Sequence, residues 1–247
     1  DLLPAARRRE LHQAIATRIE AAAANRLAIC YPLLAYHWRR ALAEQPSEPR
    51  LVATATHYQV KAGQQALDNF ANREAAGYFA ALLELDERAG NRVDARQRAG
   101  WQRRLGEARF RLGNWEESRT HFETALALLD QPLLSGSGGV LVSSLRQLAW
   151  QALYRLRSTP AGTGVKLSPP EREALVEATR TYGRLIQIND FREELFLTLH
   201  RTLSAANLAE RLGPSPELVQ GLATLCQVLG NMSIHTLTRA YGRWSLE

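Results

Sequence analysis

The side chains able to do chemistry are thinly spread along this chain. Six histidines occur, at His12, His37, His57, His121, His200 and His235, and no two lie three or four residues apart. No helix face therefore offers the paired imidazoles of a metal site. Cys30 and Cys226 are far apart in the chain and fit neither a disulfide framework nor a metal-binding spacing, which points to a reducing cytoplasm. Glu116-Glu117 and Glu193-Glu194 open helical stretches, where acids favour the positive end of the helix dipole. The run Gly162-Thr163-Gly164-Val165-Lys166-Leu167-Ser168 lacks the adjacent Gly-Lys-Ser/Thr of a phosphate-binding loop, and no strand-like stretch precedes it. No nucleophile, base and orienting group can be nominated together. The expected catalytic, cofactor-binding and metal-ligating sets are each none.

Charge is the next candidate for function. The chain carries a net charge of +6 with a pI near 9.7, and nearly all its cations are arginine, with Lys61 and Lys166 the only lysines. The densest clusters, Arg7-Arg8-Arg9 and Arg103-Arg104, have Glu10 and Glu107 beside them and no interleaved aromatics to stack bases. They read as solvated helix faces, so no nucleic-acid partner is expected. No apolar run approaches the roughly 20 residues needed to span a bilayer, so no membrane partner is expected either.

The positioning elements are helices. Trp101 to Asp130 reads as two amphipathic helices meeting at Gly113-Asn114. Leu105, Gly106, Phe110 and Leu112 mark one face, and Trp115, Ser118, Phe122, Ala125 and Leu129 mark the next. Gly113 suits a left-handed helix end, and Asn114 with Glu117 suits a capping box. Forty-three residues before Gly106, Ser118 and Phe122 stand Gly63, Ala75 and Phe79, so the hairpin has an expected counterpart. Gly183 and Cys226 share the same spacing, although Leu195, Thr238 and Gly242 match the register poorly.

Elsewhere the punctuation is local. A first helix is expected over Pro4 to Ala24 with Leu11, Ile15 and Ile19 as its apolar stripe, a second over Pro32 to Glu44, and a third from Ser47-Pro49 to Phe70. Asn72 is expected to cap a fourth. Gly90-Asn91 and Gly230-Asn231 repeat the device of Gly113-Asn114. Gln131 to Gly139 reads as a loop, Val140 to Leu156 as a helix and Arg157 to Leu167 as a second break. Ser168 to Glu171 restarts helical structure with a cap. Asp190 with Glu193 is expected to cap the following helix, and Gly213-Pro214-Ser215-Pro216 to separate it from the next.

The central hairpin, with Leu105-Gly106, Gly113-x-Trp115-Glu116-Glu117-Ser118, Phe122 and Ala125, resembles the tetratricopeptide repeat. Longer runs carry a further resemblance. Leu3-Pro4-Ala5-Ala6-Arg7-Arg8-Arg9-Glu10-Leu11-His12, Tyr31-Pro32-Leu33-Leu34-Ala35-Tyr36-His37-Trp38, Lys61-Ala62-Gly63-Gln64-Gln65-Ala66-Leu67 and Phe70-Ala71-Asn72-Arg73-Glu74-Ala75 are similar to the region following the ATPase module in large bacterial signalling proteins. Those proteins resemble soluble adenylyl cyclases, with a class III cyclase domain, an AAA/STAND-type ATPase and a long tetratricopeptide-like array.

That resemblance implies an all-α fold of antiparallel helical hairpins stacked as a superhelical array. The breaks at Gln131 to Gly139 and Arg157 to Leu167 divide the chain into residues 1–132, a linker helix with flexible flanks over 133–167, and a second helical set over 168–247. The implied function is a non-catalytic scaffold or regulatory segment of a cytoplasmic signalling ATPase or adenylate/guanylate cyclase. Its partners would be a protein, a peptide or neighbouring domains of the same chain. A free-standing adaptor protein is the alternative. A third reading, an enzyme built on helices, needs a clustered polar site. Because the chain starts at Asp1 rather than methionine and stops inside a helical stretch, it is expected to be a piece of a longer protein.

Overall fold

The computed structural model describes residues 4–23, 26–43, 48–90, 92–131, 137–156, 167–192, 194–233, 238–239 and 241–242, the side chains of residues 137, 152–156 and 191 excepted. The described residues form α-helices and one 3₁₀ turn, with no strand among them. The fold is all-α. In order come α1 (Ala5–Ala22), the 3₁₀ turn Leu27–Cys30, α2 (Tyr31–Ala43), α3 (Pro49–Asp68), α4 (Asn72–Arg88), α5 (Ala95–Arg111), α6 (Trp115–Leu128), α7 (Ser137–Leu156), α8 (Pro169–Phe191), α9 (Leu195–Leu212) and α10 (Pro216–Asn231).

The chain forms two compact units. The first is Asp1–Asp94 with Arg104–Asn114, and the second is Ala95–Arg103 with Trp115–Glu247.

In the first unit consecutive helices pack in series, α1 on α2, α2 on α3 and α3 on α4. Only residues 69–71 separate α3 from α4, too short a span to carry the chain far, so it must turn back at once. The turn is made by Phe70 in the left-handed region at φ 59°, with the Ala71 N–H donating to the Ala66 carbonyl at 2.8 Å. At the end of α5, Gly113 at φ 82° does the same, with the Asn114 N–H donating to the Arg109 carbonyl at 3.0 Å. Phe70 and Gly113 are 43 residues apart, as are the first residues of α4 and α6, Asn72 and Trp115.

These helix boundaries recur at the 43-residue interval. Gly63 and Gly106, Ala75 and Ser118, and Phe79 and Phe122 are buried, as are Leu105 and Ala125. A Cβ built on Gly63 would stand 2.9 Å from Phe79 Cζ, so the absence of a side chain there is what admits the ring. Trp115, expected on the inner face, is instead 46% exposed.

The stripe expected on α1 is displaced. Ala16 is fully buried and Ile19 partly so, while Leu11 and Ile15 are exposed. The face that packs is the one that brings small Ala16 close to Leu34, Ala35, Tyr58 and Ala62. Asn72 does not cap α4 either. It is the helix's first residue, Ala71 holds the cap position, and Asn72 Oδ1 is buried without a hydrogen-bond partner.

The second unit is centred on α9, which packs against α7, α8 and α10 and is buried on nearly every side. Further pairs skip one helix in sequence, α6 with α8 and α8 with α10. The start of α8 is as expected: the Ser168 N–H and hydroxyl both donate to Glu171 Oε2, at 2.8 and 2.6 Å. That holds the Glu171 carboxyl below its usual range, through the Ser168 side chain first and its backbone second. Ser215 caps α10 by accepting from the Leu218 N–H at 3.3 Å, and Gly213 ends α9 at φ 77°.

Three boundaries differ from expectation. Asp190 lies inside α8, so Glu194 and not Asp190 precedes α9. Helix α7 begins at Ser137, three residues before Val140. Gly230 does not end α10, which runs through Asn231 and turns at Ser233, φ 60°. Gly183 has open space where its Cβ would be, and Leu195 is 43% exposed. The close approach in this unit is Gly221, whose Cβ would sit 3.4 Å from the Ala206 backbone.

Candidate functional site

None of the residues scanned for chemistry assembles a reactive centre among those described. Glu116 pairs with Arg192 at the surface. His57 is exposed, and His121 shares a 2.7 Å hydrogen bond with Gln102. Cys30 and Cys226 are free and half-buried. His235, Glu193, Asn91 and residues 162–166 of the glycine-rich run lie outside the described residues.

Two histidines do meet. His12 of α1 and His37 of α2 bring their Nδ1 atoms to 2.8 Å, with Tyr36 edge-on to both rings. Two protonated imidazoles cannot share that contact, and burial first, then the His12 charge, pushes the His37 pKa down. Beside them Trp38 Nε1 donates to Glu20 at 3.0 Å, and Tyr58 is pushed up to about 12 by burial first and by Glu20 second. Twenty-five residues of chain separate the histidines, so helical spacing within either element could not reveal the pair.

The first unit also has an open groove of about 470 Å³ between α4 and the end of α5, lined by Arg73, Ala76, Gly77, Ala80, Arg109, Leu112 and Asn114. Its two arginines and the absence of acids in its lining make it a basic concavity. Gly77 is part of the lining, and a Cβ there would meet nothing within 4 Å.

The second unit is laced with ion pairs. Arg201, with its side chain 7% exposed, donates to Glu123 Oε1 at 2.7 Å and to Asn189 Oδ1 at 2.9 Å, tying α9 to α6 and α8. Burial pulls the Arg201 pKa down, and Glu123 opposes that. Arg119 is half-buried and pairs with Glu123 at 3.0 Å and Glu194 at 3.3 Å. Burial alone would lower its pKa, but the two carboxylates hold it raised. Arg103 bonds to Glu177 in the same unit.

A cleft of about 350 Å³ opens between α7, α8 and α9. One wall is fixed by amides: Gln151 Nε2 donates to Asn207 Oδ1 at 2.6 Å, Asn207 Nδ2 donates to Gln147 Oε1, and Tyr241 Oη donates to Gln151 Oε1 at 3.1 Å. No protein-family model matches the chain, and no curated protein matches it.

Proposed function

We propose that this chain is a non-catalytic scaffold or regulatory segment, a tetratricopeptide-like array whose work is to hold a protein, a peptide or a neighbouring domain of a larger signalling ATPase or adenylate/guanylate cyclase. The observation that carries this reading is the 43-residue register, in which Gly63, Ala75 and Phe79 match Gly106, Ser118 and Phe122 in burial while Phe70 matches Gly113 in backbone conformation. One hairpin that recurs at a fixed spacing is the mark of a stacked array, and stacked arrays work through their extended concave surfaces. The basic groove beside Gly77 supplies such a surface in the first unit. The ion pairs of both units are in keeping with this, since Glu107, Glu123 and Glu217 each hold an arginine.

No cofactor, nucleic acid or membrane enters this reading, and the cytoplasm is the compartment that it assigns. Among the described residues no helix is long and apolar enough to cross a membrane.

The test uses the complete natural protein that contains this segment. Gly77→Leu extends a side chain from a position where a Cβ meets nothing within 4 Å, and replaces a helical glycine with a better helix former. Turnover of Mg-ATP by the complete protein is expected to change about fivefold or more, the size of an ordinary interdomain coupling. Unaltered turnover in a folded Gly77→Leu protein would remove the groove from regulation. A complete protein with no ATPase module would favour the free-standing adaptor.

A further inference from the structure

Helix α7 sits in the second unit with its polarity inverted. Its buried side carries Ser143, Ser144 and Gln151 beside Val140. Its outer side carries Leu141, Val142 and Leu145, each more than half exposed, with Ala149 exposed among them and Trp150 half-exposed at the edge. Among the described residues the exposed large hydrophobic side chains of every other helix come singly or in pairs, so the run of four on α7 stands apart.

Hydrogen bonds hold that orientation. Gln151 and Gln147 both bond to Asn207 of α9, and Ser144 Oγ donates to the Val140 carbonyl at 2.7 Å. Rolling α7 to bury its leucines would break both interhelical bonds and bury nothing polar in their place, so the apolar arc stays outward.

An apolar arc of this kind marks a contact surface for another chain. Its spacing gives the shape that fits. Leu141, Leu145 and Ala149 recur every fourth residue and form one ridge along the helix, the relief that packs into the groove of a second helix. Charge narrows the partner further. The 20 residues of α7 include no acid, and Arg146, exposed on the same side, is in no ion pair with a described residue. A second copy of α7 laid across the ridge would set Arg146 against its own kind, whereas an acidic helix would set a carboxylate there.

We infer that α7 is the docking site of an acidic amphipathic helix from a partner protein, seated along Leu141, Leu145 and Ala149 with Val142 at its flank and a carboxylate on Arg146. The surface belongs to the second unit and is independent of the basic groove in the first.

The experiment is fluorescence anisotropy of a labelled synthetic peptide titrated with the full chain. The peptide is about five helical turns long, with leucine at every third or fourth position and glutamate and alanine elsewhere; a second peptide has lysine in place of glutamate. The glutamate peptide is expected to bind saturably, and the lysine peptide about tenfold more weakly or worse. Arg146→Glu should reverse that order. Leu145→Gln should weaken the glutamate peptide about tenfold. Its melting temperature should match the parent's, because the side chain is exposed in the free protein. The inference is overturned by no saturable binding of the glutamate peptide up to about 1 mM, by equal affinity for the two peptides, by a preference that survives Arg146→Glu, or by undiminished binding to Leu145→Gln. A lowered melting temperature in Leu145→Gln would overturn it by placing that leucine in the core. A dimeric chain that Leu145→Gln turns monomeric would overturn it in favour of a second copy on the arc.

Discussion

The two units bury different kinds of side chain. Among the described residues the first unit buries three polar or charged side chains, Gln59, Asp86 and Glu107, whereas the second buries thirteen, including Arg201, His200, Asn189 and Gln151. In the first, helices meet through small residues and aromatic knobs, such as Phe79 against Gly63. In the second, α9 is surrounded and must satisfy donors and acceptors on every side, so its contacts run through arginine, threonine and amide groups. A helix buried all round exposes its polar residues to low dielectric, where the hydrogen bonds that are made, such as those of Arg201 and Thr202, count for more than at the surface. The first unit gains order from shape, the second from hydrogen-bond pairing.

The largest expected effect comes from breaking the shape-built unit. Phe79→Ala removes a fully buried ring seated over Gly63 and should cost about 3–5 kcal/mol in urea denaturation. Phe122→Ala, at the position 43 residues on and in the second unit, removes another fully buried ring and should cost a similar amount. A cost below about 1 kcal/mol at either site would separate the two positions and undo the register.

The pairing-built unit should be sensitive to a different change. Arg201→Met leaves Glu123 and Asn189 without their shared cation, at an expected cost of about 2–4 kcal/mol. Arg119→Ala, which is more exposed and leaves Glu123 its bond to Arg201, should cost about 1 kcal/mol or less. A double-mutant cycle between Arg201 and Glu123 measures the coupling directly, and additivity would contradict the role given to this pair.

These two units also differ in how much of them the sequence reveals. Local devices were legible: the Ser168–Glu171 cap depends on a three-residue spacing, and the left-handed turn at Gly113 on a residue without a Cβ. The register joining Gly63 and Phe79 to Gly106 and Phe122 was legible because size and apolarity repeat along the chain. Which stripe of α1 would pack was not. Leu11 and Ile15 look like a core face until α2 and α3 select the neighbouring one through Ala16. Polar pairs were hidden throughout. Arg201 and Glu123 are 78 residues apart, and Tyr182 and Ser204 are brought together only by the packing of α8 on α9. Arginine next to threonine and histidine in α9 looks like a solvated face, and only a third and fourth neighbouring helix turn it inward.

Acid should weaken each unit through one histidine. His37 in the first and His200 in the second both have lowered pKa values, chiefly from burial, with His12 adding to the first and Arg201 and Arg146 to the second. The unfolded chain takes up these protons near pH 6.5 and the folded chain only lower, so the stabilisation is complete above that value and is lost as pH falls through the folded pKa. Melting temperatures should therefore be flat from pH 8 to 7 and decline below about 6.5. His200→Gln should flatten the decline, and an unchanged slope would place the acid sensitivity elsewhere.

The comparison is tested most directly by one substitution made at two glycines. Gly63→Ala puts a Cβ 2.9 Å from Phe79 Cζ, whereas Gly183→Ala puts one in open space within α8. Parallel urea denaturation of the two variants should show Gly63→Ala destabilised by about 1–3 kcal/mol. Gly183→Ala should be neutral or stabilised by up to about 1 kcal/mol. Equal effects at the two positions, or a Gly63→Ala protein as stable as the parent, would contradict a first unit built on the fit of Phe79 over Gly63.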